Sequence, residues 1–114
     1  MTNAVSYLRV SGKGQVSGGG FDRQRETIES YAKKNKIKIT DEYREEGVSG
    51  TKELENRTAL ASLLDRVESN GIKIVLVEKA DRLARDLMIS EVILSQFRDA
   101  GVSVVSADNG TDLT

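Results

Sequence analysis

The sequence contains no histidine and no cysteine, and each absence excludes a class of site. Without histidine, a Ser-His-Asp hydrolase is excluded, because the imidazole is the base that activates the serine. Without cysteine, disulfide bonds and cysteine-based zinc sites are excluded as well. Aromatic residues make up only 4% of the chain, so we expect an aliphatic core.

Long apolar runs and a strong charge of one sign are also missing. No run of about 18 apolar residues is present, and the first twenty residues lack a signal-peptide pattern, so we expect a cytoplasmic protein without membrane contact. The length of 114 residues predicts a single domain. The net charge is −1, whereas a free-standing DNA-binding domain is usually basic. A role with nucleic acid would therefore need a local basic patch or a tethered binding domain.

Apolar runs and apolar residues at helical spacing alternate along the chain. This alternation predicts an α/β fold with a mostly parallel sheet of four to five strands flanked by helices, connected by right-handed crossovers. Strands are expected at residues 3–10, 36–43, 72–77 and 102–105; helices at 21–35, 60–70 and 83–100; loops at 11–20 and 44–56; and irregular structure at 108–114. Asp22 is predicted to cap the first helix, and Gly71 and Gly101 are predicted to end the second and third helices.

Polar segments follow three of the predicted strands. Ser11 follows the first strand, Glu45 and Glu46 follow the second, and residues 81–86 follow the third. Because ligands of parallel α/β sheets bind beyond the carboxyl ends of the strands, we expect these three segments to meet at one edge.

The first of these segments places Ser11 two residues after Arg9, within Tyr7-Leu8-Arg9-Val10-Ser11. Residues two apart point to the same side of an extended chain. Phosphoryl transfer fits a serine without histidine, because that reaction depends on positioning and on neutralising phosphate oxygens, which arginine does well. Taken alone, the pattern is explained more simply by a surface arginine and a serine that begins a turn.

The second segment is Asp81-Arg82-Leu83-Ala84-Arg85-Asp86. On a helix, Arg82 and Arg85 share a face, and Asp81 neighbours Arg85, as in an ordinary surface ladder of ion pairs. Two arginines at the start of a helix oppose its dipole, however, and a bound anion explains them better. The sequence leaves two roles open for Arg57, which is either an ordinary surface charge or a member of the site.

Two cofactor patterns are incomplete. Gly12 and Gly14 begin a dinucleotide fingerprint, but Ser17 takes the third glycine position and no P-loop lysine follows. Glu78, Asp81 and Asp86 give only a weak signal for magnesium. We therefore expect no cofactor and no metal.

Together, these motifs resemble the catalytic domain of the serine site-specific recombinases, the resolvase/invertase family. The resemblance spans nearly the whole chain and rests on Tyr7-Leu8-Arg9-Val10-Ser11, Gln15, Arg23-Gln24, Glu46-Gly47-Val48-Ser49-Gly50, Arg57 and Asp81-Arg82-Leu83-Ala84-Arg85-Asp86. It implies that residues 1–114 form the catalytic domain, without the dimer-forming helix and DNA-binding region of the family. It also implies cleavage and rejoining of double-stranded DNA at a specific site, through a covalent 5′-phosphoserine intermediate, without metal or nucleotide.

The resemblance also implies a role for each matching residue. Ser11 would be the nucleophile, and Arg9, Arg82 and Arg85 would grip the scissile phosphate with Asp81 beside them. The residues that would surround them are Gln15, Gln24, Glu45 or Glu46, and Arg57. The family often has threonine after the nucleophile, where this chain has Gly12, and commonly has aspartate where it has Glu45 or Glu46.

Several alternatives stay open. One is a non-catalytic α/β module that binds a phosphate or another anionic ligand, and another is a metal-dependent nucleic-acid enzyme. Within the family, the sequence does not separate integrase, resolvase and invertase, and it does not give the DNA site. We expect the full-length protein to form homodimers and tetramers on DNA, and the 114-residue chain to be inactive and monomeric or weakly dimeric.

Overall fold

The computed structural model describes residues 2–10, 20–46, 58–80, 83 and 87–114. Its strands are β1 (Thr2–Val10), β2 (Ile37–Glu46), β3 (Ile74–Val77), β4 (Ser103–Ser106) and β5 (Thr111–Asp112), and its helices are α1 (Gly20–Lys34), α2 (Thr58–Asn70) and α3 (Leu87–Asp99). The strands form one sheet in the order β2-β1-β3-β4-β5. Only the β4–β5 pair is antiparallel, so the predicted mostly parallel α/β fold is confirmed.

Strand β1 lies inside the sheet between β2 and β3 and is buried on both faces, as its apolar run requires in a parallel sheet. Val5 and Tyr7 point to one face, and Ala4 and Leu8 point to the other. Helices α2 and α3 cover the first face with Leu60, Leu63, Val67, Ile93 and Phe97. Helix α1 covers the second face with Phe21, Ile28 and Ala32. The core is therefore two apolar layers with the sheet between them.

The chain order reverses between β1 and β3. From β1 the chain passes outward to β2 and then returns across the sheet to β3, which pairs with β1 only between Ala4–Ser6 and Ile74–Leu76. In doubly wound sheets of this order, ligands bind in the crevice between these two strands at their carboxyl ends. We call this region the carboxyl edge; Arg9, Glu45, Glu78 and Asp108 lie at or just after the ends of β1 to β4.

Some predicted boundaries were wrong. Strand β2 continues to Glu46 instead of entering a loop at residue 44, because Arg44–Glu46 keep pairing with Leu8–Val10. Residues 108–114 contain strand β5, which pairs with Val105 and Ser106 after a turn in which Gly110 has φ +74°.

The helix starts also differ from the prediction. Helix α1 begins at Gly20, so Asp22 lies in its first turn and is not its N-cap. Leu83 is buried in a turn, where its N–H donates to the Ala80 carbonyl at 3.1 Å, and the described part of α3 begins at Leu87. The predicted ends of the second and third helices are confirmed, because Gly71 and Gly101 follow α2 and α3 with φ values of +70° and +75°. None of the helices in the described ranges has the length and apolar character needed to cross a membrane.

Candidate active site at the carboxyl edge

Arg9 is buried near the end of β1, with only 1% of its surface exposed. Strand alternation places its side chain on the same face as Val5 and Tyr7, beneath α2 and α3. The guanidinium keeps its charge in proteins, so a positive charge lies under the carboxyl edge, two residues before Ser11 in the chain. The simpler interpretation of Arg9 as a surface charge is therefore wrong.

Gln24, on the first turns of α1, fixes the backbone of Arg9. Its Oε1 accepts a hydrogen bond from the Arg9 N–H at 3.2 Å, and its Nε2 donates to the Arg9 carbonyl at 3.1 Å. These are the two bonds that a neighbouring strand would make, and the pairing of β1 with β3 ends at Ser6. Because Gln24 is fully buried, its amide acts as a fixed substitute for the missing strand.

Glu45 joins β2 to the start of α2. Its Oε1 accepts a hydrogen bond at 2.9 Å from the N–H of Leu60, the third residue of that helix. A carboxylate at a helix N-terminus satisfies a free N–H and interacts favourably with the helix dipole. Glu45 is buried and pairs in register with Arg9, so both side chains lie on the same face of the sheet. The side chain of Glu46 lies outside the described part of the structure.

An ion pair between Arg23 and Glu78 joins the start of α1 to the end of β3. Arg23 Nε lies 3.1 Å from Glu78 Oε2, and the Glu78 side chain is 9% exposed. The Glu78 carbonyl also accepts a hydrogen bond from the N–H of Asp108, which connects the ends of β3 and β4. Sequence reasoning missed this pair, although a charged residue directly after the buried run of β3 was a signal for a role at the edge.

A second ion pair on α1 lies further from the edge. Arg25 binds Glu42 of β2 through two hydrogen bonds of 2.7 and 2.9 Å, and Arg44 approaches the same carboxylate at 3.6 Å. The hydrogen bonds from Arg25 hold the pKa of Glu42 below its ordinary value, although partial burial opposes this effect, and the charges of Arg25 and Arg44 add to it. The Arg44 guanidinium also lies 5.5 Å from the centre of the Phe21 ring. These contacts hold α1 against β2.

Of the ten residues predicted for the site, the structure brings Arg9, Gln24 and Glu45 together at one edge. Six others lie outside the described residues: Ser11, Gln15, Arg57, Asp81, Arg82 and Arg85. The predicted glycine-rich loop and the predicted arginine face of residues 81–86 lie outside them too. Within the described ranges, no three acidic, histidine or cysteine side chains are grouped so as to hold a metal ion.

Comparison with known proteins finds one family along the chain. Residues 4–114 match the family model of the resolvase N-terminal domain. The Escherichia coli K12 protein YbcK, which is uncharacterized, is 32% identical over 97% of this chain. The chain spans only 23% of the length of that relative.

Two solved structures share the fold closely. The N-terminal catalytic domain of TP901-1 integrase superposes with a TM-score of 0.82 at 27% identity, over 97% of this chain and 81% of that one. A resolvase family site-specific recombinase from Streptococcus pneumoniae superposes with a TM-score of 0.83 at 28% identity, over 99% of this chain and 76% of that one. The similarity therefore includes both the sequence and the arrangement of the sheet and helices.

Proposed function

Because the chain belongs to the resolvase family, whose N-terminal domain it matches, we propose that it acts in site-specific recombination of double-stranded DNA. The observation that carries the proposal is the buried Arg9, held by Gln24 near the end of β1, two residues before Ser11. A fixed positive charge at this edge suits a phosphodiester better than a neutral ligand.

The proposed reaction is a transesterification. The Ser11 oxygen attacks the phosphorus of the scissile phosphodiester, and the bond from phosphorus to the 3′ oxygen breaks. The Ser11 hydroxyl loses its proton as its oxygen attacks, the 3′ oxygen takes up a proton and leaves as a hydroxyl group, and the phosphate remains on Ser11 as a 5′-phosphoserine. Attack by a 3′ hydroxyl of another strand reverses the step and rejoins the DNA. Because one phosphodiester is exchanged for another, the reaction needs no external energy source.

The arginines neutralise the charge that grows on the phosphate oxygens during attack. We assign direct contact with the phosphate to Arg82 and Arg85, with Asp81 beside them. We assign Arg9 to the same site, where its buried guanidinium adds positive charge. An interaction with a buried charge is stronger than one in water, because the local dielectric is low. Removing one such donor typically costs about 3 kcal/mol of barrier, or a hundredfold in rate.

The proposal extends to the residues around the site and to the partners. Gln24 and Glu45 fix the strand ends that lead into the site, and Gln15, Glu46 and Arg57 complete its surroundings. Cutting both strands of two DNA sites needs four copies of Ser11, so we propose that the full-length protein acts as dimers that assemble into a tetramer. The cytoplasmic location expected from the sequence belongs to the same proposal.

The test is a covalent-trapping experiment with the full-length protein. The DNA is a nicked duplex that carries the recombination site of the full-length protein, and the product is measured as a protein–DNA adduct on a denaturing gel. We expect an adduct from the wild-type protein in the presence of EDTA. We expect Ser11→Ala to give none while its Kd for DNA stays within about twofold, because the hydroxyl supplies the bond and not the affinity.

Ser30→Ala is the matched control, because Ser30 is exposed on α1 and away from the edge. This variant should form the adduct as the wild type does. An adduct from Ser11→Ala would exclude Ser11 as the nucleophile. Loss of all cleavage with EDTA would favour a metal-dependent enzyme, and DNA binding without any adduct would favour a binding module.

A further inference from the structure

The first turns of α1 bind two different strands through neighbouring side chains. Gln24 holds the backbone of Arg9 at the end of β1, and Arg23 binds Glu78 at the end of β3. These two strands enclose the crevice where the order of the sheet reverses. The start of α1 therefore contacts the ends of both β1 and β3.

The Arg23–Glu78 pair has an uneven exposure that a simple surface ion pair lacks. The Glu78 side chain is only 9% exposed, whereas that of Arg23 is 59% exposed. A buried carboxylate is costly unless it is paired, and replacing both members of a buried ion pair by well-packed apolar residues often leaves stability unchanged or higher. Stability alone therefore gives little reason for a glutamate at this position.

The position of Glu78 also opposes the proposed substrate. A negative charge at the carboxyl edge repels a DNA phosphate unless a cation neutralises it, and Arg23 provides that cation at 3.1 Å. In the sequence, Glu78 comes three residues before Asp81 and four before Arg82. The carboxylate is thus located where the chain leaves β3 toward the residues assigned to the phosphate.

We propose that Arg23 and Glu78 are positioning residues for DNA strand cleavage. Their ion pair fixes the end of β3 against α1, while the adjacent Gln24 fixes the end of β1 against the same helix. Breaking the pair releases one side of the crevice, so that the groups following β3 and those following β1 lose their mutual alignment. The inference rests on the proposed recombinase function and adds two residues that the family resemblance does not assign.

The Arg25–Glu42 pair supplies a matched control on the same helix. It has two hydrogen bonds of 2.7 and 2.9 Å, so it is at least as well formed as the Arg23–Glu78 pair. Glu42 pairs in register with Ser6, however, three residues before Arg9 and away from the end of the sheet. Breaking this pair loosens α1 from β2 without freeing the end of β3.

The experiment measures the rate of adduct formation by the full-length protein on the nicked duplex, at saturating DNA. Its variants are Glu78→Gln, Arg23→Gln, Arg23→Lys and the control Arg25→Gln. DNA affinity by gel shift and the folded fraction by circular dichroism are measured at the same temperature. Because small misplacements of reacting groups are costly, we expect Glu78→Gln and Arg23→Gln to slow adduct formation by about tenfold or more. Their DNA affinity should remain that of the wild type, and the rates are compared at a temperature at which circular dichroism shows every variant fully folded, because removing one member of a buried pair lowers stability.

The conservative variant and the control make the result specific. Arg23→Lys keeps the positive charge and should retain a rate within about threefold of the wild type. The control Arg25→Gln loses a charge elsewhere on α1, and its rate should also stay within about threefold. Rates within about twofold for both glutamine variants would overturn the inference, as would a loss of rate that only follows a loss of folded protein. If the wild-type protein forms no adduct, the proposed function fails and this inference fails with it.

Discussion

At the scale of single residues, Gln24 combines two structural tasks in one amide group. It binds both the N–H and the carbonyl of Arg9, and it is fully buried. A buried backbone group that loses its partner costs about 1–3 kcal/mol, so we expect Gln24→Leu to lower the free energy of unfolding by about 2–4 kcal/mol.

Urea denaturation followed by circular dichroism measures this loss. Glu29→Ala, at an exposed position of the same helix, is the control and should change stability by less than about 0.5 kcal/mol. A loss for Gln24→Leu as small as that of the control would show that the Arg9 backbone finds other partners.

At the same scale, the ion pair of Glu42 predicts how the stability of the fold depends on pH. Hydrogen bonds from Arg25 hold the pKa of Glu42 below its ordinary value of 4.5. A lowered pKa in the folded state means that the ionised carboxylate stabilises the fold above pH 4.5, and that this contribution is lost as the pH falls from there through the folded-state pKa. We expect Glu42→Gln to cost about 1 kcal/mol near pH 7 and progressively less as the pH falls below 4.5.

Thermal or urea unfolding of the wild type and Glu42→Gln across this pH range tests whether the ionised Glu42 stabilises the fold. The difference in stability between wild type and variant should shrink steadily as the solution becomes more acidic. A difference that stays constant or grows with acid would mean that the Glu42 charge does not stabilise the fold through Arg25.

At the scale of secondary-structure elements, the start of α2 depends on a residue from another element. The Glu45 carboxylate accepts the N–H of Leu60, which gives the helix a cap from strand β2. We expect Glu45→Ala to lower the free energy of unfolding by about 1–2 kcal/mol, because N-cap bonds are worth this much and Glu45 is buried.

Hydrogen exchange, measured at single amides, tests whether the loss of stability begins at the start of α2. In Glu45→Ala the amide of Leu60 should exchange faster, whereas amides in the middle of α1 should change only with global stability. Lys38→Ala, on the exposed face of the same strand, is the control for changes in β2 itself. Unchanged protection at Leu60 would show that Glu45 does not cap the helix.

The same scale shows which elements the sequence predicts well. Buried runs such as Val5–Leu8 and Leu76–Val77 give strands directly, and glycines at 71 and 101 mark helix ends because they adopt positive φ. Residues 44–46 are all charged and were predicted to leave the sheet, yet pairing with β1 extends β2 through them. Strand β5 has only two residues, so no periodicity reveals it.

At the scale of the whole molecule, the site is harder to predict than the fold. The resemblance to a family identified Arg9 and Gln24 and left Glu45 and Glu46 as alternatives, but nothing local in the sequence predicts that Arg9 is buried. The Arg23–Glu78 pair joins residues 55 positions apart, so only the folded sheet brings them together. Local patterns predict which segments reach the carboxyl edge, and the tertiary structure decides which side chains meet there.

The exposed surface of the molecule gives a prediction about assembly. Within the described ranges, the large apolar side chains on the surface are Met88, 81% exposed, and Val92, 54% exposed, one turn apart on α3. A stable interface buries about 1,000 Å² or more, which is far larger than these two side chains provide. We expect the 114-residue chain to sediment as a monomer of 12.5 kDa at micromolar concentration.

Analytical ultracentrifugation over a range of concentrations tests this expectation. Met88→Lys is the matched variant and should leave the sedimentation behaviour unchanged. A dimer that dissociates on Met88→Lys would show that α3 is an interface in the isolated chain.

The buried position of Arg9 has a consequence for how this protein changes under selection. A guanidinium in a core is costly unless it is paired, and removing one member of a buried pair typically costs about 3–5 kcal/mol. A change at codon 9 alone would therefore lower heat tolerance together with recombination, so that selection for either property keeps arginine. Even a lineage that lost its DNA target would have to change the partners of Arg9 before an apolar residue could replace it.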